Sequence, residues 1–130
     1  MHANDVQLVQ VYAREKGGSI LDQSFPSNTE FEVIIEAKAG QTIYGDGVQY
    51  LVQIAVRDLT NLSIVYKETL QGNMKSEPWV QPELSYPFLI AKQGSTKEDH
   101  VYDILASLSV GFKNPNVSFA KSPMFIIRKP

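Results

Sequence analysis

The aromatic residues best suited to bind a ligand lie in a segment rich in proline. Trp79 stands between Pro78 and Pro82, and Tyr86 and Pro87 follow a few residues later. Proline lacks the amide hydrogen that a central strand donates, so this segment belongs to a strand edge or a loop. The indole ring then forms either an exposed platform for a sugar ring or a proline-rich peptide, or a lid folded over the core. The lid is favoured, because tryptophan is usually largely buried.

Tyr44 and Asp46 are two further candidates for ligand binding, and they share a glycine-rich segment at 39–47. This composition is typical of tight turns, because glycine adopts positive φ at little steric cost and aspartate caps nearby backbone groups. Beside an aromatic platform, Asp46 would supply a hydrogen bond or a calcium ligand. The candidate ligand-binding residues are therefore Trp79, Tyr86, Tyr44 and Asp46.

Side chains suited to catalysis or metal binding are scarce. The chain has two histidines, His2 and His100, and no cysteine, which excludes thiolate nucleophiles, zinc ribbons, iron–sulfur ligation and disulfides within the chain. Its serines lie in no Gly-x-Ser-x-Gly motif, and the glycines around Asp46 form too short a loop to hold a phosphate. Since the sequence pairs no nucleophile with a base, we expect no enzyme activity, no metal site and no cofactor.

Alternating apolar residues predict that strands position these side chains. From Thr29 to Lys38 and from Val48 to Asp58, apolar and polar residues alternate, as a half-buried strand requires. The apolar faces are Phe31, Val33, Ile35 and Ala37 in the first segment and Val48, Tyr50, Val52, Ile54 and Val56 in the second. Three glutamates share the opposite face of the first segment, and a solvated sheet face explains them without a bound ion.

Further strands are expected around these two. A turn at 58–61 begins a hairpin whose second strand directs Leu62, Ile64 and Tyr66 inward and ends at Gly72. The remaining predicted strands are 6–13, 19–24, 88–91 and 123–128, with an edge or loop at 75–86 and a turn at 114–116.

The segment from Asp99 to Lys113 fits two structures. A capping box at 95–98 and apolar residues at helical spacing favour a helix that begins near Thr96. A strand fits better, because apolar residues occupy every even position from 102 to 112 and the odd positions are mostly polar. Seven or eight strands and no convincing helix then predict an antiparallel β-sandwich rather than a small barrel.

One segment resembles a known group of domains. The residues from Asp99 to Ala106 resemble the penultimate strand of immunoglobulin-like and fibronectin type III domains, in which a tyrosine after an acidic turn anchors the corner through its hydroxyl. Tyr102 occupies that position, whereas the chain lacks the two cysteines of immunoglobulin domains and Trp79 lies off the expected central strand. The resemblance implies the architecture only, an all-β, antiparallel immunoglobulin-like (fibronectin type III-like) β-sandwich of seven to eight strands.

The composition fits one folded domain over residues 1–130. With 130 residues, of which 43% are hydrophobic, the chain can bury one core. A net charge of −2 disfavours nucleic acid and a polybasic membrane anchor as partners. No stretch approaches the ~18 apolar residues of a membrane span, and the first residues lack a signal peptide. We expect a cytoplasmic protein, unless the sequence is an excised domain of a secreted one.

These features predict a non-catalytic binding or spacer module that mediates protein–protein interaction, because loops and strand edges are recognition surfaces. The alternative is a carbohydrate-binding module that uses an exposed aromatic platform around Trp79. Prolines and lysines would protect most strand edges, so we expect a monomer whose least protected edge is the first strand, from Val6 to Ala13.

Overall fold

A computed structural model describes residues 5–16, 24–27, 29–90, 98–111 and 116–129 of the chain. These residues form an all-β fold with mainly antiparallel sheets and one short helix. In chain order the elements are β1 (Val6–Glu15), β2 (Ser24–Pro26), β3 (Phe31–Ala39), α1 (Gln41–Gly45), β4 (Gln49–Asp58), β5 (Ser63–Asn73), β6 (Glu83–Ile90), β7 (Val101–Val110), β8 (Asn116–Lys121) and β9 (Phe125–Arg128).

The described strands form two sheets of unequal width. The smaller sheet has three strands in the order β1-β3-β6, and the larger has six, in the order β2-β9-β7-β4-β5 with β8 also paired to β7. Neighbouring strands are antiparallel except for β2 and β9, which are parallel over Ser24–Pro26. β9 pairs with the start of β7 and β8 with its end, so these two strands lie one after the other along the same side of β7.

The apolar faces of the two sheets share one buried cluster. The alternation predicted for β3 and β4 is confirmed, since the inward side chains of both strands are buried from Phe31 to Ala37 and from Tyr50 to Val56. At one end of the cluster, the rings of Phe25, Phe31 and Phe125 contact one another, with centroids 5.2 to 5.7 Å apart. The Tyr102 ring stacks on Phe125 at 5.8 Å. Such contacts add to the stabilisation that burial of the rings gives.

The strand interpretation of the segment after Asp99 is confirmed for β7, which lies at the centre of the larger sheet. Its even-numbered residues from Tyr102 to Val110 are buried. Ser122 spans the break between β8 and β9: its N–H donates to the Ile104 carbonyl, and its Oγ accepts from the Ile104 N–H, both at 2.9 Å. The predicted positions at 19–23, 91, 95–97 and 112–115 lie outside the described residues.

The predicted inward face of β5 is wrong for Leu62 and Ile64, whose side chains are exposed. Leu62 ends the hairpin turn with a φ of 57°, a left-handed conformation that interrupts the strand alternation. The register between β4 and β5 also shifts next to Val56, which places Ile64 opposite Arg57. A β-bulge of this kind turns the following side chains to the other face of the sheet.

Three other elements differ from the sequence prediction. The glycine-rich segment at 39–47 contains the helix α1. The strand β8, which was not predicted, begins at Asn116, the last residue of the predicted turn. β6 begins at Glu83, upstream of Pro87, rather than at Phe88. Proline is tolerated there because, among the described strands, β6 pairs on one side only, with β3.

The edge of β1, predicted to be the least protected, is covered. The Leu8 N–H donates to Ser118 Oγ at 2.9 Å, so β1 lies against β8. On the opposite side the smaller sheet ends at β6, which contains Pro87, and the larger sheet ends at β5, which contains no proline. Among the described strands, β5 is therefore the edge most open to pairing with another strand.

Candidate functional site

Trp79 is completely buried, so the favoured prediction of a ring folded over the core is confirmed and the alternative, an exposed ring, is wrong. Its ring centroid lies 4.8 Å from that of Tyr50, in an edge-to-face arrangement. The indole N–H donates to the Pro82 carbonyl at 3.4 Å. The segment from Met74 to Pro82 thus folds back and places the tryptophan in the core, where its apolar surface is removed from water.

The other candidate ligand-binding residues lie on different elements from Trp79. Tyr86 is half-buried in β6 and packs against Phe88, with centroids 4.9 Å apart. Tyr44 is half-buried in α1, and Asp46 is exposed in the turn that follows. Among the described residues, no hydrogen bond or ring contact joins Tyr44 or Asp46 to Trp79. With Trp79 buried, the four residues form no platform in which this ring is exposed.

Tyr50 carries a buried hydroxyl that has no hydrogen-bond partner among the described residues. Burial raises the pKa of this phenol, and the nearby Tyr86 raises it further. The hydroxyl lies beneath Gly72 of β5: a Cβ at Gly72 would come within 3.2 Å of it. Gly72 is therefore needed for the close approach of the tyrosine.

A buried polar cluster joins the end of β4 to the start of β7. The Asp58 carboxylate lies 2.8 Å from Nδ1 of His100 and accepts from the Asn61 N–H at 3.0 Å. Burial by itself raises the pKa of Asp58, but the hydrogen bonds from His100 and Asn61 outweigh it, and the pKa is lowered. The hydrogen bonds hold the turn from 59 to 62 against the strand that follows His100.

Arg57 and Asp103 form a second pair beside this cluster. The Arg57 guanidinium donates from Nε and Nη2 to the two oxygens of Asp103, at 2.8 and 2.6 Å. The hydrogen bond to Asp103 raises the pKa of Arg57. Sequence analysis missed this pair, although its members stand directly opposite each other in register on β4 and β7. The two charged groups bond to each other across the sheet, so the pair connects β4 to β7.

The outer face of the larger sheet exposes a group of apolar side chains around Phe119, here called the Phe119 face: Leu51, Ala55, Leu105, Val117 and Phe119. Phe119 is 76% exposed, and Leu105 and Val117 are also exposed. A shallow groove on this face runs from Phe119 and Leu105 across β4 to Lys67 and Thr69 of β5. Because apolar side chains are grouped on one exposed face, the Phe119 face is a candidate for an interaction surface.

Sequence analysis did not single out the Phe119 face because no single segment carries it. β8 was not predicted, and Leu105 was read only as an odd position of β7. The register pairs Phe119 with Ser107 and Val117 with Ser109, which brings β8 to the outer side of β7. The signal available in the sequence was the alternation of Val117 and Phe119 with Asn116 and Ser118, which predicts a strand but does not show that its apolar side chains face solvent.

The free edge of β5 borders this face. The Met74 N–H donates to the Val48 carbonyl, and the Gly111 N–H donates to the Gln49 carbonyl. In an antiparallel strand each residue turns its N–H and C=O to one side, and the next residue turns them to the other side. Since Met74 bonds to Val48, the even residues of β5 form their hydrogen bonds with β4. Lys67, Thr69 and Gln71 therefore direct their N–H and C=O groups away from β4.

Comparisons of the chain with protein-family models and with curated proteins found no match. Within the described part of the chain, no helix has the length and hydropathy needed to cross a membrane, and no group of three or more histidine, aspartate or glutamate side chains is placed to hold a metal ion. The exposed side of the larger sheet, made of the Phe119 face and the β5 edge, is the candidate functional site that the geometry provides.

Replacing Tyr50 with phenylalanine is expected to raise the free energy of unfolding by about 1 kcal/mol, because the change removes a buried hydroxyl without a partner. Urea denaturation followed by tryptophan fluorescence measures this difference, since Trp79 packs on the same ring. Tyr66→Phe, at a half-buried position of β5, is the matched control. A loss of stability in Tyr50→Phe would show that the hydroxyl has a partner.

Replacing Asp58 with asparagine is expected to cost about 2 kcal/mol at neutral pH, because the charged carboxylate accepts the bonds from His100 and Asn61. The folded pKa lies below the ordinary value of 3.8, so this stabilisation is complete above 3.8 and is lost as the pH falls through the folded pKa. Urea unfolding of both proteins between about pH 7 and pH 2 tests this. A difference that stayed constant down to the lowest pH would contradict the assignment.

Proposed function

We propose that this chain is a non-catalytic protein-binding module built on an immunoglobulin-like β-sandwich. The strand order supports the fold: β1, β3 and β6 occupy the places of strands A, B and E, and the series β9, β7, β4, β5 those of G, F, C and C′. Tyr102 at the start of β7 holds the place of the corner tyrosine of strand F. This architecture hosts many functions, so the function depends on the surface of the domain and not on its fold.

One observation carries the proposal, the exposure of Phe119. A phenylalanine side chain that is 76% exposed leaves most of its apolar area in water, at a cost of about 25 cal/mol for each Å². Aromatic side chains supply much of the binding energy where protein surfaces meet, because they bury a large area and lose few rotatable bonds. Leu105 and Val117 extend the apolar area on either side of this ring.

The surroundings of Phe119 match the anatomy of a protein interface. Ser107 and Ser109 lie opposite Phe119 and Val117 in register, and Lys121 closes the row opposite Leu105. The serines lie on β7, between the apolar side chains of β8 and those of β4, so polar and apolar groups are mixed across the face, as is usual for interfaces of non-obligate complexes. The face is also built on paired strands rather than on loops, which fixes its shape before binding.

The test compares two serine variants of the full chain as baits in an extract of the native organism. Phe119→Ser is expected to lower the recovery of the bound protein at least tenfold relative to wild type, because it removes the aromatic anchor. Leu89→Ser is the matched control, since Leu89 is an exposed apolar residue on the smaller sheet. Recovered proteins are quantified by mass spectrometry.

Two results would contradict the proposed function. One is the absence of any protein enriched by wild type over Phe119→Ser, which would leave the role of a spacer. The other is equal loss in both variants, which would show that apolar exposure in general, and not the Phe119 face, is being measured. Unfolding curves of the three proteins must agree within about 0.5 kcal/mol, the range expected for exposed substitutions.

A further inference from the structure

We propose that β5 receives an extended segment of a protein partner as an additional strand, and that this segment carries a basic residue followed directly by an acidic one. The inference rests on the proposed function and names the kind of partner that the same side of the molecule fits. β5 is eleven residues long and contains no proline. Among the described strands it pairs with β4 alone, so its second edge is open.

The backbone of β5 supplies the hydrogen bonds for such a segment. Lys67, Thr69 and Gln71 direct their N–H and C=O groups away from β4. An extended chain placed alongside would satisfy these groups in an antiparallel ladder, with a second strand lying roughly 5 Å away. Main-chain pairing of this kind provides affinity, and the side chains beside it provide selectivity.

Two neighbouring charges set the selectivity. Lys67 and Glu68 are exposed, and neither forms an ion pair with a described residue. Their neighbours on β4 are Ala55 and Ile54, which carry no charge. Residues directly opposite each other in an antiparallel pair share a face of the sheet, and opposite charges there are favourable. An acidic residue opposite Lys67 and a basic one opposite Glu68 therefore complete both pairs.

The direction of the strand fixes the order of these two charges. In an antiparallel segment the residue opposite Glu68 comes before the residue opposite Lys67, so the basic residue precedes the acidic one. The half-buried side chains of Tyr66 and Leu70 lie on the inner side of β5, on the same face as Glu68. Apolar residues of the segment opposite Leu70 and Tyr66 would continue the apolar inner face of the sheet. Read along the segment, the residues opposite positions 70 to 66 of β5 are therefore apolar, polar, basic, acidic and apolar.

A second copy of this chain fits the edge poorly. A twofold axis that pairs β5 with itself over its whole length passes through its central residue, Glu68, and sets Glu68 opposite Glu68 of the second copy. A shift of the axis by one residue towards the start of β5 sets Lys67 opposite Lys67 of the second copy, whereas the equal shift towards its end sets Thr69 opposite Thr69. Like charges directly opposite each other are destabilising. Like charges therefore disfavour self-pairing in two of the three longest registers, whereas a segment of different sequence can avoid them in each register.

The test uses two synthetic peptides with blocked ends and the same composition. The matching peptide is Thr-Val-Thr-Lys-Glu-Val-Thr, and the control, Thr-Val-Thr-Glu-Lys-Val-Thr, exchanges the two charges. Each is titrated into the isotope-labelled full chain, and binding is followed by amide chemical shifts. The matching peptide is expected to bind about fivefold more tightly, with the largest shifts in β5, because two opposite-charge pairs replace two like-charge pairs. Equal affinities, or no binding of either peptide at millimolar concentration, would overturn the proposal.

Three variants make the result specific to the edge. The double variant K67E/E68K is expected to reverse the preference between the two peptides. Thr69→Pro removes an outward N–H and leaves the pairing with β4 intact, so it is expected to weaken binding at least tenfold. Thr69→Val keeps the N–H and is expected to bind like wild type. A folded Thr69→Pro variant with unchanged affinity would place the peptide elsewhere and overturn the proposal.

Two further measurements separate this proposal from the function on which it rests. If the peptides bind without preference while Phe119→Ser still loses its captured protein, the edge proposal fails and the proposed function stands. If Phe119→Ser loses nothing while the peptide preference holds, the proposed role of the Phe119 face fails and the edge proposal stands. Sedimentation equilibrium of wild type and Thr69→Pro completes the test, because a dimer present only in wild type would show that β5 pairs with itself.

Discussion

A three-stranded sheet packs its apolar face against a six-stranded one, and this difference in width determines which side chains stay exposed. The smaller sheet and the folded-back segment around Trp79 bury the inner face of β4 and β7. β5, at the end of the larger sheet, has no buried residue along its whole length. The outermost strand therefore remains partly exposed: Tyr66 and Leu70 pack against the edge of the core, while no described strand pairs with its second backbone edge.

Polar side chains close the ends of the structure where strand pairing stops. Asp58 and His100 hold the hairpin turn against the start of β7, and Ser122 continues the pairing of Ile104 across the break between β8 and β9. Asp58 and Ser122 are buried and His100 is half-buried, and each of the three side chains forms a hydrogen bond within the fold. Buried polar groups of this kind fix the register of the strands, since a shift by one residue would leave them without partners. The core and the ends are thus committed to structure, which leaves the exposed side of the larger sheet for binding.

Much of the fold could be predicted from the sequence, because one-sided burial leaves a strong alternation of apolar and polar residues. β3, β4 and β7 show this alternation and were predicted as strands. β8 is short and its apolar side chains, Val117 and Phe119, point to solvent, so its alternation does not mark a core face. The bulge opposite Val56 shifts the pattern of β5. Trp79 shows the limit most clearly: its prolines predicted an irregular segment, but only the tertiary contacts with Tyr50 and Pro82 decide that the ring is buried. The candidate site depends on four strands in register, which no local pattern in the sequence specifies.

The central claim is that the outer face of the larger sheet contacts a protein. Photo-crosslinking tests it most directly: a photoreactive phenylalanine analogue replaces Phe119 in one protein and Leu89, on the smaller sheet, in another, and both are irradiated in an extract of the native organism. The account predicts a discrete crosslinked protein from position 119 and none from position 89. Crosslinks of equal yield from both positions, or none from position 119, would contradict it.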